Sequence, residues 1–169
     1  MASVLSHPVV PLAVSQWFPP GSLSPTVVAL GMTCSVLPDL DVIGFAFGIR
    51  YGDLFGHRGF SHSICFALLV AALLTWWTSG GGSVFLFLFL ATLSHPLIDA
   101  CTNGGLGIAF FSPFSNRRYF FPWRPLEVPP IGIVAFFSPR GWAVLQSELL
   151  WIWLPCLALT GLARWLRPG

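Results

Sequence analysis

Charged side chains are scarce in this chain of 169 residues. Aspartate, glutamate, lysine and arginine together make up 8% of it, apolar residues make up 55%, and the mean hydropathy is +0.78. A soluble domain carries about 25% charged residues, which keep its surface hydrated. The composition therefore excludes an ordinary soluble domain and predicts a chain that folds in lipid. The length suits one unit, so we expect residues 1–169 to form a single integral membrane domain.

Lysine is absent, and the eight basic residues are all arginine. With a net charge of +2 and no basic run, nucleic acid is not an expected partner. The four cysteines form no CxxC pair and lie in or beside apolar segments, which indicates small buried residues rather than disulfides or a thiolate site. No basic residue precedes the apolar run at 1–16, so we expect this run to belong to the mature fold, not to a cleaved signal peptide.

Long apolar segments dominate the rest of the sequence. A helix needs about 20 apolar residues to cross a bilayer, and five segments could cross or deeply enter one: about 5–17, 23–37, 61–78, 83–102 and 142–166. An apolar stretch at 42–49 is too short to span. Ser61 is a candidate N-cap for the third segment, and Gly80–Gly82 form a turn after it. The pattern predicts an all-α, multi-spanning transmembrane bundle of about four to five helices, with an interfacial or re-entrant piece near 128–137.

All four histidines and three of the four aspartates fall at one end of this bundle if consecutive segments run antiparallel. They stand at the start of the first and third segments and at the end of the second and fourth. In chain order these residues are His7, Asp39, Asp41, His57, His62, His95 and Asp99. Ionisable groups in or near hydrocarbon are energetically costly and are kept where they pair, line water or bind something. We therefore expect one polar site at one membrane face.

Imidazole and carboxylate groups are the ligands that zinc-like and manganese-like ions take. His95 and Asp99 stand four residues apart, which places them on the same face of a helix. Seven candidate ligands exceed the three or four that one zinc ion takes, so we expect one or two divalent ions, zinc first and manganese as the alternative. Other interpretations remain open: an interfacial His7, an Asp39 that faces water, and a hydrogen-bonded His95–Asp99 pair without a metal.

Three motifs resemble those of a known family. They are Leu37-Pro38-Asp39-Leu40-Asp41, Gly56-His57-Arg58-Gly59-Phe60-Ser61-His62-Ser63 and Leu93-Ser94-His95-Pro96-Leu97-Ile98-Asp99 with Thr102. Together they resemble the YdjM-like family, described as LexA-regulated, membrane-bound, metal-dependent hydrolases. The resemblance covers residues of about 1–125, and the C-terminal helix at about 142–166 lies outside it. It implies metal-dependent hydrolysis at a membrane and leaves the substrate open.

The resemblance leads to a hypothesis about mechanism. A metal lowers the pKa of a bound water to about 7. One of Asp39 and Asp41 would then act as the general base. Arg58 would pair with a substrate phosphate or with a ligand carboxylate; the alternative is an arginine that reaches the membrane interface. A site at the lipid–water boundary suits an amphiphilic, lipid-like phosphoester. The oligomeric state stays open.

Arginine counting predicts which side the site faces. Six arginines fall on the site side and two on the other: Arg50, Arg58, Arg117, Arg118, Arg124 and Arg140 against Arg164 and Arg167. The positive-inside rule then predicts a multi-pass protein of the inner (plasma) membrane whose site faces the cytoplasm.

Two other functions would use similar histidine and aspartate residues. A metal-free lipid phosphatase also carries HxxxD, but it needs a lysine-containing block and a PSGH block, and this chain has neither. A non-enzymatic divalent-metal transporter or metal sensor would also use histidine and aspartate in the membrane. It would place them on discontinuous helices at mid-membrane, whereas here they fall at helix ends.

Overall fold

The computed structural model describes residues 2–129 and 137–167, and within these ranges the fold is helical without a β-strand. Two isolated bridges join Thr102 to Leu126 and Ile108 to Tyr119 in the long connection after the fourth segment. The predicted all-α class is confirmed.

The first two segments are shorter helices than the sequence predicts. Helix α1 spans Val9–Ser15 and α2 spans Pro25–Cys34. At 1.5 Å per residue, α1 is about 10 Å long and cannot cross a bilayer alone. After α2, a 3₁₀-helix runs over Leu37–Phe47. This helix includes both the expected end of the second segment and most of the apolar stretch at 42–49. The sequence pattern had indicated two separate pieces.

The third and fourth segments form an antiparallel hairpin. Helix α3 spans Ile64–Trp77 and α4 spans Gly82–Ala100. The N-cap of α3 is Ser63, whose Oγ accepts the Phe66 N–H at 3.0 Å, so the prediction of Ser61 as the cap is wrong. The reason is a short 3₁₀ turn that occupies Phe60–His62 and delays the helix.

The C-terminal segment begins earlier than predicted. Helix α5 spans Pro139–Glu148, a π-helical turn spans Leu149–Trp153, and α6 continues over Leu154–Trp165. The expected interfacial piece near 128–137 falls largely on residues 130–136, which lie outside the described residues.

Within residues 2–129 and 137–167, three stretches are long and apolar enough to cross a membrane: Pro25–Phe47, Gly82–Ala100 and Pro139–Trp165. Helix α3 is apolar but, at 14 residues, about 21 Å long. Helices α1, α2 and α3 pack against α4, and α1 also packs against α6. The predicted multi-spanning bundle is therefore the architecture of the described residues.

The packing of α2 on α4 depends on a glycine. A Cβ on Gly31 would lie 2.4 Å from Phe87 Cε1. The Phe87 ring is fully buried and packs edge-on against Phe18, with 5.6 Å between ring centroids. The added methyl group would therefore have to displace a buried aromatic ring.

We expect Gly31→Ala to lower the stability of the protein in detergent by about 1–3 kcal/mol, because overpacking forces the two helices apart. The measurement is the midpoint of thermal unfolding. The matched control is Gly161→Ala on α6, where an added Cβ meets nothing within 4 Å; it should leave the midpoint unchanged or raise it. An equal effect of the two substitutions would contradict this packing account.

Candidate metal centre

Four side chains converge on one point at the end of the bundle where α2 and α4 finish and α3 begins. One ligand atom from each of Asp39, His62, His95 and Asp99 lies within 4.8 Å of every other. The two Nε2 atoms of His62 and His95 are 3.1 Å apart. Asp39 Oδ1 lies 3.6 Å from His62 Nε2 and 3.3 Å from His95 Nε2. Asp99 Oδ2 lies 3.9 Å from each of the same nitrogens.

The backs of the two imidazole rings are held by acceptors. His95 Nδ1 lies 2.7 Å from the carbonyl oxygen of Ser35, the residue that follows α2. His62 Nδ1 lies 3.0 Å from Ser61 Oγ, whose own proton is donated to Asp41 Oδ2, and 3.2 Å from that same Asp41 oxygen. An acceptor opposite Nδ1 selects the tautomer whose proton is on Nδ1, which leaves a lone pair on Nε2. The two Nε2 lone pairs are therefore aimed at the same point.

The 3₁₀-helix explains why Asp39 and Asp41 contact opposite edges of the His62 ring. A 3₁₀-helix has three residues per turn, so residues two apart point in directions about 120° from each other. Asp39 thereby faces Nε2 of His62, and Asp41 faces Nδ1. Both carboxylates were predicted to turn inward from an irregular backbone. In the structure, only Asp39 points at the Nε2 atoms of His62 and His95.

Asp41 accepts several hydrogen bonds. Its Oδ1 lies 2.6 Å from His57 Nδ1, and its Oδ2 accepts Ser61 Oγ–H at 2.6 Å and the Arg58 N–H at 3.1 Å. Asp41, His57 and His62 are also close enough to form a second metal-sized group. The short contacts are those of a hydrogen-bonded carboxylate, however, so this arrangement favours an orienting role for Asp41.

Arg58 contacts the oxygen of Asp99 that faces the two histidines. Its guanidinium donates to Gly104 O at 2.8 Å and to Thr102 Oγ1 at 3.0 Å, and its Nε lies 3.2 Å from Asp99 Oδ2. The side chain is buried, so its guanidinium is enclosed by protein and not exposed at the surface. Of the roles expected for Arg58, the geometry favours pairing with a ligand carboxylate, because its donors are turned toward protein acceptors.

His7 lies beside the four convergent groups and not among them. Its ring stacks on that of His95 with centroids 3.9 Å apart, and its Nε2 is 3.8 Å from Asp99 Oδ1. It lies outside the three spanning stretches, and burial together with the neighbouring His95 lowers its pKa to about 3. His7 is therefore a neutral imidazole, which is the form that can bind a metal, and its prediction as a ligand is not decided by its charge.

The donor set fits a divalent cation. Among the described residues, no group donates a hydrogen bond to either Asp39 oxygen or to either His7 nitrogen. A tetrahedral zinc ion with bonds of about 2.0–2.1 Å would separate its ligand atoms by about 3.3 Å. The pairs that include a histidine are 3.1 to 3.9 Å apart, and the two carboxylates lie within 4.8 Å of each other. His62 also lies outside the spanning stretches; burial lowers its pKa, but Asp39 and Asp41 outweigh burial and raise it. The pocket therefore favours positive charge.

The structure brings all seven predicted residues into one contact network, although their assignment as ligands or catalytic groups stays a prediction. Two further groups of this network, the Glu148 carboxylate and the Ser35 carbonyl, were not among the residues predicted from the sequence. Glu148 had a usable signal, because it is an acidic residue inside an apolar segment. A backbone carbonyl gives no signal in a sequence.

Comparison with known proteins decides the family. A sequence model described as "YdjM inner membrane protein" matches residues 1–168. The chain belongs to the YdjM inner membrane protein family. The match includes the C-terminal helix, so the expected limit of the resemblance at about residue 125 is wrong.

A YdjM-family relative from Escherichia coli (strain K12), "Inner membrane protein YbcI", is 38% identical over 172 residues, which cover 99% of each chain. No solved structure matches this YdjM-family chain. Both sequence matches are to inner membrane proteins, in agreement with the apolar helices described above.

We expect zinc binding to this YdjM-family protein to weaken as the pH falls. Ligation needs a neutral His62, and a raised pKa lets a proton occupy Nε2 at a higher pH than usual. Below that pKa, one competing proton raises the Kd about tenfold per pH unit. Competition with a chelating dye between about pH 8 and about pH 5 measures the effect. A Kd that does not change with pH would contradict the site.

Proposed function

We propose that the protein is a membrane-bound, metal-dependent hydrolase whose metal is held by Asp39, His62, His95 and Asp99. The observation that carries the proposal is the approach of two Nε2 atoms to 3.1 Å, each with an acceptor behind its Nδ1. Two lone pairs at that distance repel each other unless a cation or a proton lies between them. The carboxylates of Asp39 and Asp99 on the same point favour a cation.

Zinc suits this set best. Two imidazoles and two carboxylates satisfy its preference for four nitrogen and oxygen ligands, and manganese is the alternative because carboxylates also suit it. One ion accounts for the geometry. A second ion at Asp41, His57 and His62 would have to displace the 2.6 Å contact between Asp41 and His57.

Four protein ligands close a tetrahedral zinc site, so a water would bind where Asp39 gives up its place, and the ion would lower the pKa of that water toward neutrality. Asp39 is the group best placed to accept a proton, because its second oxygen has no donor among the described residues, whereas both oxygens of Asp41 already have hydrogen-bond partners. Asp41 orients His62 and His57, and Arg58 holds Asp99. Asp39 is therefore the proposed base in preference to Asp41.

The surroundings of Asp39 support a lipid-like substrate. The 3₁₀-helix that carries Asp39 exposes large apolar side chains after it, including Leu40, Ile43 and Phe47. Apolar surface this close to the site favours an amphiphilic molecule with a phosphoester or related bond next to its apolar chain.

The orientation in the membrane is part of the proposal. Arg118 lies at the site end, where its guanidinium donates to the carbonyl oxygens of His57 and Tyr51. Arg167 lies at the opposite end and donates to the carbonyls that follow α1. The excess of arginines at the site end favours a site facing the cytoplasm.

Metal analysis of the purified protein tests the centre. Wild type should carry about one zinc ion per chain, and His95→Ala should lower this by more than about tenfold because it removes a ligand. Asp39→Asn, which keeps the side-chain volume, should act in the same direction. Asp53→Asn is the matched control, since Asp53 lies in an exposed loop where it pairs with Arg50. Equal metal content in wild type, His95→Ala and Asp39→Asn, with all three monodisperse in detergent, would refute the centre.

Hydrolysis is tested separately in proteoliposomes with a panel of phospholipids, soluble phosphoesters and esters. The proposal expects cleavage of an amphiphilic substrate that a chelator abolishes and zinc restores. Zinc flux through the liposomes without cleavage of any substrate would support the transporter instead. Cleavage that resists the chelator would support a metal-free phosphatase.

A further inference from the structure

Glu148 is a buried carboxylate at the end of α5, inside the spanning stretch Pro139–Trp165, and it is 1% exposed. Buried carboxylates in membrane segments are costly and are kept where they have a specific partner. Here the partners are all in the N-terminal segment. Glu148 accepts Ser3 Oγ–H at 2.6 Å, Ser6 Oγ–H at 2.7 Å and, by a short contact, the backbone N–H of Ser3.

A residue at the end of the π-helical turn after Glu148 also binds the N-terminal segment. Trp153 Nε1–H donates to Ser6 Oγ at 2.8 Å. Glu148 and Trp153 are five residues apart, which on an α-helix would place them about 140° from each other. The i→i+5 bonding of a π-helix stacks such residues one above the other. The turn over Leu149–Trp153 therefore directs both side chains at Ser6.

The segment held in this way contacts the proposed ligands. The Ala2 backbone N–H donates to Asp99 Oδ1 at 2.9 Å. His7, the residue after Ser6, stacks on His95 and lies 3.8 Å from the same Asp99 oxygen. Both ends of the segment 2–7 thus contact groups whose other atoms face the convergent point.

We propose that Glu148 is a positioning residue for the metal centre, an inference that rests on the proposed function. It fixes residues 2–7 so that the Ala2 N–H restrains one oxygen of Asp99 while Arg58 Nε restrains the other. If Glu148 does not bind Ser3 and Ser6, the Ala2 N–H no longer fixes Asp99, whose Oδ2 can then rotate away from His62 and His95. His7 also no longer stacks on the His95 ring. Glu148 itself touches no proposed ligand through these contacts.

The test compares Glu148→Gln with Glu127→Gln, a substitution of the chain's other glutamate. Glutamine keeps the volume but replaces one acceptor oxygen with a donor. We expect faster hydrogen exchange of the amides in residues 2–7 in Glu148→Gln, and a zinc Kd raised about tenfold, as for other groups that orient a ligand. Trp153→Phe, which removes the donor to Ser6 but keeps an aromatic ring, should shift both quantities in the same direction and less strongly.

The readouts separate positioning from a merely structural role. A lower unfolding temperature with unchanged zinc Kd would overturn the inference, and so would unchanged exchange in residues 2–7. Should Glu148→Gln fail to fold, Trp153→Phe decides by the same two readouts. Failure of the proposed function looks different, since wild type would then bind no zinc while the exchange measurement still reports whether Glu148 holds the segment.

Discussion

The close approach of His62 Nε2 and His95 Nε2 is the contact on which the rest of the site depends. At this separation of 3.1 Å, each ring also has a partner at its Nδ1: Ser61 and Asp41 for His62, and the Ser35 carbonyl for His95. That carbonyl is available because α2 ends at Cys34 and leaves its last carbonyls without intrahelical partners. A helix end, a 3₁₀-helix and a buried arginine thus all serve to hold two lone pairs and two carboxylates at one point.

The clustering of the polar residues could be predicted from sequence, because antiparallel segments bring alternate helix ends together. Hydropathy and the positions of His7, Asp39, His62 and His95 were sufficient for that. The division of roles could not be predicted, since the opposite directions of Asp39 and Asp41 arise from the 3₁₀ geometry of their backbone. Nothing in the local sequence distinguishes an 11-residue 3₁₀-helix from the end of an α-helix followed by a loop.

The C-terminal helix shows the opposite case, in which a visible signal was not used. The family match over residues 1–168 includes this helix, and Glu148 within it binds Ser3 and Ser6. An acidic residue in an otherwise apolar segment already pointed to a specific partner. The partner itself could not be inferred, because the pairing joins residues 142 and 145 positions apart in the chain.

X-ray absorption spectroscopy of the zinc-loaded protein in detergent tests the central claim most directly, because it reports the atoms around the ion. The account predicts four nitrogen and oxygen scatterers at about 2.0–2.1 Å with the outer-shell features of two imidazoles. A sulfur scatterer at about 2.3 Å, or a shell without imidazole, would contradict a centre built on Asp39, His62, His95 and Asp99.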